Sequence, residues 1–523
     1  MSSQRYIENP THSASSAYDL SSSIQGVHRF SSAWMTPMAG SSEGPLIRHI
    51  GSSNESLEQS IRGKKLRRAA IEMLSEDTLL DVFDFYRLDA IKQSLGHPWK
   101  WHRLAHVCKR WRCVMIVSPR RLGLQILCKS GAPIESILDS WPTLPLVIRH
   151  KGLESRSLPD NIIVALRRTD RVCAIDLVLT SSITGSIVEA IQEPFQALER
   201  IRITVEDAAG SPLVVRNAFL GGSAPHLREI KLDGIDFPFP EIRQVLLSTN
   251  NLVELHLANL PNDLYVSPDD LVTGLTTLVQ LKRLTIGFHS PALRPPSRMT
   301  RLPKRTSLPS LTFLGFHGAS NYLEEFVARI DLPALCKITI RLFNDLFFEI
   351  PQFSQFIPRL NMLGPPTRVL VTHSVDCVGI FFSQEGKSSN ENFLFETSCR
   401  RLDWQLSFVT QISSQLSPFL SSVRLLGIQG VHKLPTGEED VDSTQWLEFF
   451  RPFTYVTRFN VFDKDLVPGI VQALVVEDTA TEVFPELSTL HLSESRSSPS
   501  VEKAAEQFVA TRRLSGRTVH LTS

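Results

Sequence analysis

The sequence predicts an α+β chain: an α/β solenoid with a parallel concave sheet and outer helices, preceded by a small helical module. Two observations carry the solenoid. The spacing apolar-x-x-apolar-x-apolar recurs over most of the chain, and segments with helix-entry residues lie between its copies. A third observation carries the module. Two apolar helical segments, Thr78–Tyr86 and Trp101–Val117, stand between a Ser-rich leader and the first copy.

The elements follow in order. Residues 1–60 hold 16 serines and only eight charged side chains. Such a segment has little apolar surface to offset its ordering entropy, so a disordered leader is expected. Its Gly40-Ser41-Ser42-Glu43-Gly44 formally matches G-x-S-x-G, but the strand and helix that would expose a nucleophilic serine are missing around it. A basic run follows (Arg62, Lys64, Lys65, Arg67, Arg68), read either as a nuclear import signal or as a solvated helix start.

Residues 61–120 form the helical module. Ser75 can cap its first helix, with Glu76 and Asp77 in the first turn, where the helix dipole favours carboxylates. Leu79, Leu80, Val82, Phe83, Phe85 and Tyr86 wrap most of the way around, so the helix needs cover on two sides. In the second helix Trp101, Leu104, Cys108, Trp111 and Met115 make one stripe at spacings 3, 4, 3, 4. Ser118-Pro119 ends it, and Gly96 and Pro98 lie in the connector Arg87–Lys100.

Residues 121–523 form the solenoid. The rhythm appears as Val172/Ile175/Leu177, Leu198/Ile201/Ile203, Leu227/Ile230/Leu232, Leu252/Leu255/Leu257, Leu281/Leu284/Ile286, Leu311/Leu314/Phe316 and Leu335/Ile338/Ile340. Degenerate copies are expected near Val369 and Leu402. The rhythm returns at Val423/Leu426/Ile428, Val456/Phe459/Val461 and Leu487/Leu490/Leu492. Helices are expected at 159–169, 183–191, 240–248, 268–279, 320–330, 443–450, 464–476 and 500–513. Several open on proline or serine, and Ser267 is a candidate cap. The eighth place after the leading leucine is Ile235, Leu260, His289 or Ala319 rather than asparagine, so irregular turns are expected. Between two copies, residues 291–310 carry Arg294, Arg298, Arg301, Lys304 and Arg305 and no acid. They read as an extended loop that can meet an acidic or phosphorylated substrate segment, or as a solvated insertion.

Composition removes several function classes. With 55 basic and 54 acidic residues there is no global field for nucleic acid. No apolar run reaches about 18 residues, so no membrane span is expected. The seven cysteines form no C-x-x-C pair, which argues against zinc fingers and disulfide scaffolds and for a reducing compartment. No phosphate loop, H-E-x-x-H or dinucleotide glycine run is present, so no catalytic residue, metal or cofactor is expected.

The motif Met73-Leu74-Ser75-Glu76-Asp77-x-Leu79-Leu80-x-Val82-Phe83-x-Phe85-Tyr86, then Leu104-x-x-Val107-Cys108-Lys109-Arg110-Trp111-Arg112, resembles an F-box. The trailing Ser118-Pro119-Arg120-Arg121-Leu122 is similar to F-box proteins abundant in mushroom-forming fungi. With the array behind it, the chain beyond its leader resembles the F-box/leucine-rich-repeat class, whose period is about 20–29 residues. Leading positions here are 21 to 34 residues apart. Ser75 stands where that family usually has proline, and the connector is longer than usual.

The resemblance implies the substrate-recognition subunit of a Skp–cullin–F-box ubiquitin ligase. The F-box would bind a Skp-type adaptor, and through it a cullin–RING scaffold, while the repeats present an unknown protein substrate. The implied adaptor contacts are Leu74, Leu79, Leu80, Val82, Phe83, Trp101, Leu104, Val107, Cys108 and Trp111. A cytoplasmic and/or nuclear location is implied, with no nucleic-acid or membrane partner. The other reading is a non-degradative scaffold whose helices do not bind the adaptor.

Overall fold

The computed structural model describes residues 73–93, 102–118, 125–128, 135, 138, 143–151, 160–206, 219–235, 239–260, 266–289, 305–343, 348–360, 364–385, 393–430, 442–476, 482–493 and 499–522. The leader and the basic run lie outside them. The chain divides into two compact units, 1–127 and 128–523.

In the first unit, α1 (Glu76–Gln93) begins where the sequence places it. The Thr78 N–H donates to Ser75 Oγ at 3.2 Å, and Glu76 and Asp77 occupy the first turn. The helix then runs through Arg87–Gln93, expected as connector, because that stretch holds no glycine or proline. The second expected helix is two: α2 (His102–Ala105) and α3 (Lys109–Val117). Cys108 is extended (φ −157°, ψ 169°), and its Sγ accepts the Trp111 N–H at 3.4 Å. Arg112 Nε donates to the Ala105 carbonyl at 3.0 Å. The break therefore satisfies backbone groups on both sides of it, as helix ends require. Helix α3 packs against both α1 and α2.

The second unit alternates strands and helices in this order: β1 (Ile126–Cys128, astride the division between the units), β2 (Leu146–Lys151), α4 (Asp160–Leu166), β3 (Val172–Leu179), α5 (Ser181–Ala190), β4 (Arg200–Val205), β5 (Glu229–Asp233), α6 (Phe239–Ser248), β6 (Glu254–Leu260), α7 (Pro268–Leu275), β7 (Arg283–Phe288), β8 (Phe313–Gly318), α8 (Ser320–Val327), β9 (Lys337–Leu342) and α9 (Pro351–Phe356). It continues with β10 (Arg368–His373), β11 (Cys377–Ser383), β12 (Phe393–Ser398), α10 (Leu402–Gln415), β13 (Leu425–Gly430), α11 (Ser443–Phe450), β14 (Arg458–Val461), α12 (Val467–Val476), β15 (Thr489–Leu492), α13 (Pro499–Leu514) and β16 (His520–Thr522). Strands β1 to β16 belong to one mostly parallel sheet, the two-residue strands Thr306–Ser307 and Ile330–Asp331 pair separately, and the unit is an α/β repeat solenoid.

The apolar triplets explain the register. Ile175, Ile201, Ile230, Leu255, Leu284, Leu314 and Ile338 are successive partners across β3 to β9, and so are the third members of each triplet. The leading leucines sit in the turn before each strand, fully buried. Each contributes about 1.5–3 kcal/mol on burial. The residue after each leading leucine stitches one turn to the turn before. Arg228 N–H donates to Glu199 O, Val253 to Arg228 O and Lys282 to Val253 O, each at 2.8 Å, and Thr312 to Lys282 O at 2.9 Å. These bonds hold the stack without an asparagine ladder. Ser267 caps α7, its Oγ accepting the Asp270 N–H at 3.1 Å.

One region departs from the expected rhythm. Strand β10 does not lie beside β9. The sheet order there is β9, β12, β11, β10, β13, with β10–β11 and β11–β12 antiparallel. The chain overshoots, returns as a three-stranded meander, then crosses back along α10. The copy expected near Leu402 is this helix, whose buried Leu406, Val409 and Ile412 keep helical spacing. The β10–β11 turn is too short for a parallel crossover. Ser374 Oγ accepts the Cys377 N–H at 3.1 Å within it.

A polar clamp fixes the meander to α10. The fully buried His373 places Nδ1 3.0 Å from Gln405 Oε1, while Gln405 Nε2 donates to the carbonyls of Ser374 (2.8 Å) and Cys399 (2.7 Å). Because both Nε2 hydrogens are committed, Oε1 is the acceptor and His373 Nδ1 the donor. Burial pushes the His373 imidazole down to about 4.

Candidate functional site

The helical unit divides the implied adaptor contacts into two groups. Leu79, Leu80, Phe83 and Leu104 are buried, and Trp111 is half-buried with its ring 4.8 Å from Phe83, edge to face. These five build and cover a core, so the first four offer no side-chain surface to a partner. Leu74 is half-buried, its carbonyl accepting from the Arg110 guanidinium at 2.5 Å. Val82 (44% exposed), Val107 (57%) and Cys108 face solvent, and Trp101 lies outside the described residues. Cys108 is thus a helix cap and not part of a buried stripe. The apolar surface also includes Met73, Phe85 (75%), Ile116 and Val117 (79%). Sequence reasoning missed Ile116 and Val117 because one unbroken helix from Trp101 sets the wrong phase after Cys108.

Among the described residues the repeat unit presents one face of its sheet without helical cover, and its two halves differ. Across β2 to β7 the side chains on that face pair among themselves. Arg149 meets Asp176 at 3.1 Å. Arg202, Glu229, Lys231, Glu254 and Arg283 then form one chain of ion pairs at 2.6, 3.2, 3.0 and 3.3 Å. Burial alone would raise the Glu229 carboxyl, but Arg202 and Lys231 hold it below the usual range. Of the face residues named from sequence spacing, Lys231 and Glu254 belong to this chain, and the half-buried His256 is pushed down by burial. Arg228 lies at the strand entry and is exposed. The Arg283 guanidinium stacks 4.4 Å from the Phe313 ring, with Lys337 Nζ 5.9 Å from the same ring.

Across β12, β11, β10, β13 and β14 the same face carries an apolar row, beside which Glu396 of β12 pairs with Arg341 at 2.8 Å. Leu394, Phe381 and Leu370 are successive register partners, and Gly427 follows in the row. Phe462, 46% exposed, leans in beside it: a methyl on Gly427 would sit 3.0 Å from Leu370 Cδ1 and 3.6 Å from Phe462 Cε2. Leu425 is half-buried next to them, between Arg368 and Arg458 in register. Arg424 lies over the exposed Tyr455 ring at 5.4 Å.

Arg294, Arg298, Arg301 and Lys304 lie outside the described residues. Arg305 is exposed at the start of the following segment. It lies near Arg359, whose guanidinium is lowered first by burial and then by Arg305, while Asp331 pairs with it at 3.2 Å. Among the described residues no group of three His, Cys, Asp or Glu is placed to hold a metal, and no helix is long and apolar enough to cross a membrane.

No protein-family model and no curated protein matches the chain. Among solved structures it is similar to the leucine-rich repeat-containing protein LegL7 from Legionella pneumophila, at 13% identity and a TM-score of 0.27, over 76% of this chain and 99% of that one.

Proposed function

We propose that the chain is the substrate-recognition subunit of a Skp–cullin–F-box ubiquitin ligase. Its helical unit binds a Skp-type adaptor, which ties it to a cullin–RING scaffold, and the open face of the repeats holds a protein substrate. The F-box-like motif from Met73 to Leu122 supports the first half. The observation that carries it is the exposed apolar set Val82, Phe85, Val107, Ile116 and Val117, on a unit where Leu79, Phe83, Val114 and Met115 are buried. Exposed apolar surface of that kind marks an interaction site. Burying three such side chains offers about 1.5–3 kcal/mol each before association costs are met.

The reading makes the chain a receptor without chemistry of its own, since ubiquitin transfer belongs to the partner enzymes. The test is co-expression of the full chain with a Skp-type adaptor and a cullin–RING scaffold, followed by size-exclusion chromatography. Co-elution of all components is expected. A folded chain that elutes alone would contradict the proposal and favour the non-degradative scaffold.

A further inference from the structure

The two halves of the open face give the array a direction, and only one half is left unsatisfied. From β2 to β7 the cations and carboxylates neutralise one another across neighbouring strands. From β12 to β14 the apolar floor is Leu394, Phe381, Leu370, Leu425 and Phe462, Glu396 beside Leu394 is committed to Arg341 at 2.8 Å, and the edge carries Arg368, Arg424 and Arg458 against Glu385 alone among the described residues. Arg368 and Arg424 have no carboxylate within ion-pair distance among the described residues, and Arg458 has Glu385 only at 3.8 Å. The side chains of Arg458 and Glu385 are 50% and 72% exposed, so that pair is a weak competitor for an incoming carboxylate.

We propose that this half of the face, built by the out-of-order meander, binds an extended acidic peptide segment carrying large apolar side chains. The inference rests on the reading of the open face as the substrate-holding surface and names the class of segment it takes. Apolar side chains of the peptide cover Leu370, Phe381, Leu394 and Phe462, and its Asp or Glu carboxylates meet Arg368, Arg424 and Arg458. The glycines at 379 and 427 keep the floor flat, because Thr372, Leu370 and Phe462 lean over positions that carry no Cβ. From β12 to β14 there are four strand spacings, about 19 Å, which an extended segment of about six residues spans. A basic apolar segment would meet the same arginines as like charges.

The test is selection of random ten-residue peptides displayed as a library against the immobilised full chain, with no adaptor present. Peptides enriched in Asp or Glu together with Leu, Ile, Phe or Trp are expected. Their retention should fall about tenfold on the variant Arg368→Glu/Arg458→Glu and on Leu370→Ser/Phe381→Ser. It should stay unchanged on Arg228→Glu, which lies in the other half. Circular dichroism establishes that each variant is folded. No enrichment, enrichment of Lys or Arg, or undiminished retention by both double variants overturns the proposal. So does a dimer of the free chain that the charge reversal dissociates, since a second copy would then cover the face. None of these outcomes bears on adaptor docking, which is measured with purified adaptor on the full chain.

Discussion

The helical unit and the repeat unit use apolar residues in opposite ways. In the repeats, triplet after triplet vanishes into the core, with Leu198, Leu227, Leu252, Leu281, Leu311 and Leu335 fully buried. Among the described residues of the first unit, Val82, Phe85, Val107, Ile116 and Val117 stay in solvent although Leu79, Phe83 and Met115 are buried beside them. A repeat stack can always bury a side chain against its neighbour. A helix with few neighbours keeps a surplus in solvent, and the proposed docking would use it. The contrast separates residues that hold the protein together from residues free to hold something else.

The largest effect that could break this contrast lies in the repeat core. Phe353 on α9 is fully buried against Phe356, Phe393 and Phe395, joining α9 to the meander. Phe353→Ala should cost about 3–5 kcal/mol in denaturant unfolding, as truncation of a packed aromatic does. Phe85→Ser in α1 should move stability by less than about 0.5 kcal/mol. Equal losses at the two positions would erase the distinction.

The clamp between β10 and α10 comes next. His373 is neutral in the fold, with its imidazole at about 4, whereas the unfolded chain takes up a proton below about 6.5. Stability present above pH 6.5 is therefore lost as pH falls toward 4, on the order of 3 kcal/mol in all. His317, also pushed down to about 4 by burial and then by Arg341, adds to the same slope. Urea melts across that range should show a shallower pH slope in His373→Gln than in the parent, and an identical slope would contradict the assignment. A smaller effect is expected at the α7 cap, where Ser267→Ala should cost about 1 kcal/mol by thermal melt.

The parallel strands were legible because the triplet places buried side chains at period two, and register then follows from matching triplets. The meander was not legible, since buried and exposed positions alternate identically in parallel and antiparallel strands. The one signal lay in the three residues between His373 and Cys377, too few for a crossover. In the helical unit Ser75 was readable as a cap. The interruption at Cys108 was not, because His106 and Val107 fit a helix as well as a turn. That single break extends the exposed surface from the expected Val107 to Ile116 and Val117. Several implied adaptor contacts, Leu79, Leu80, Phe83 and Leu104, fell into the core, because an amphipathic motif alone does not say which apolar residues face inward.

The central claim is tested most directly by titrating a purified Skp-type adaptor into the full chain by calorimetry, beside Val82→Asp/Phe85→Asp. Both substitutions fall on exposed positions, so the variant should melt with the parent. The account predicts saturable binding to the parent and at least about a hundredfold loss, some 2.7 kcal/mol, in the double variant. Binding of equal strength to the two, or no binding to a folded parent, would contradict it.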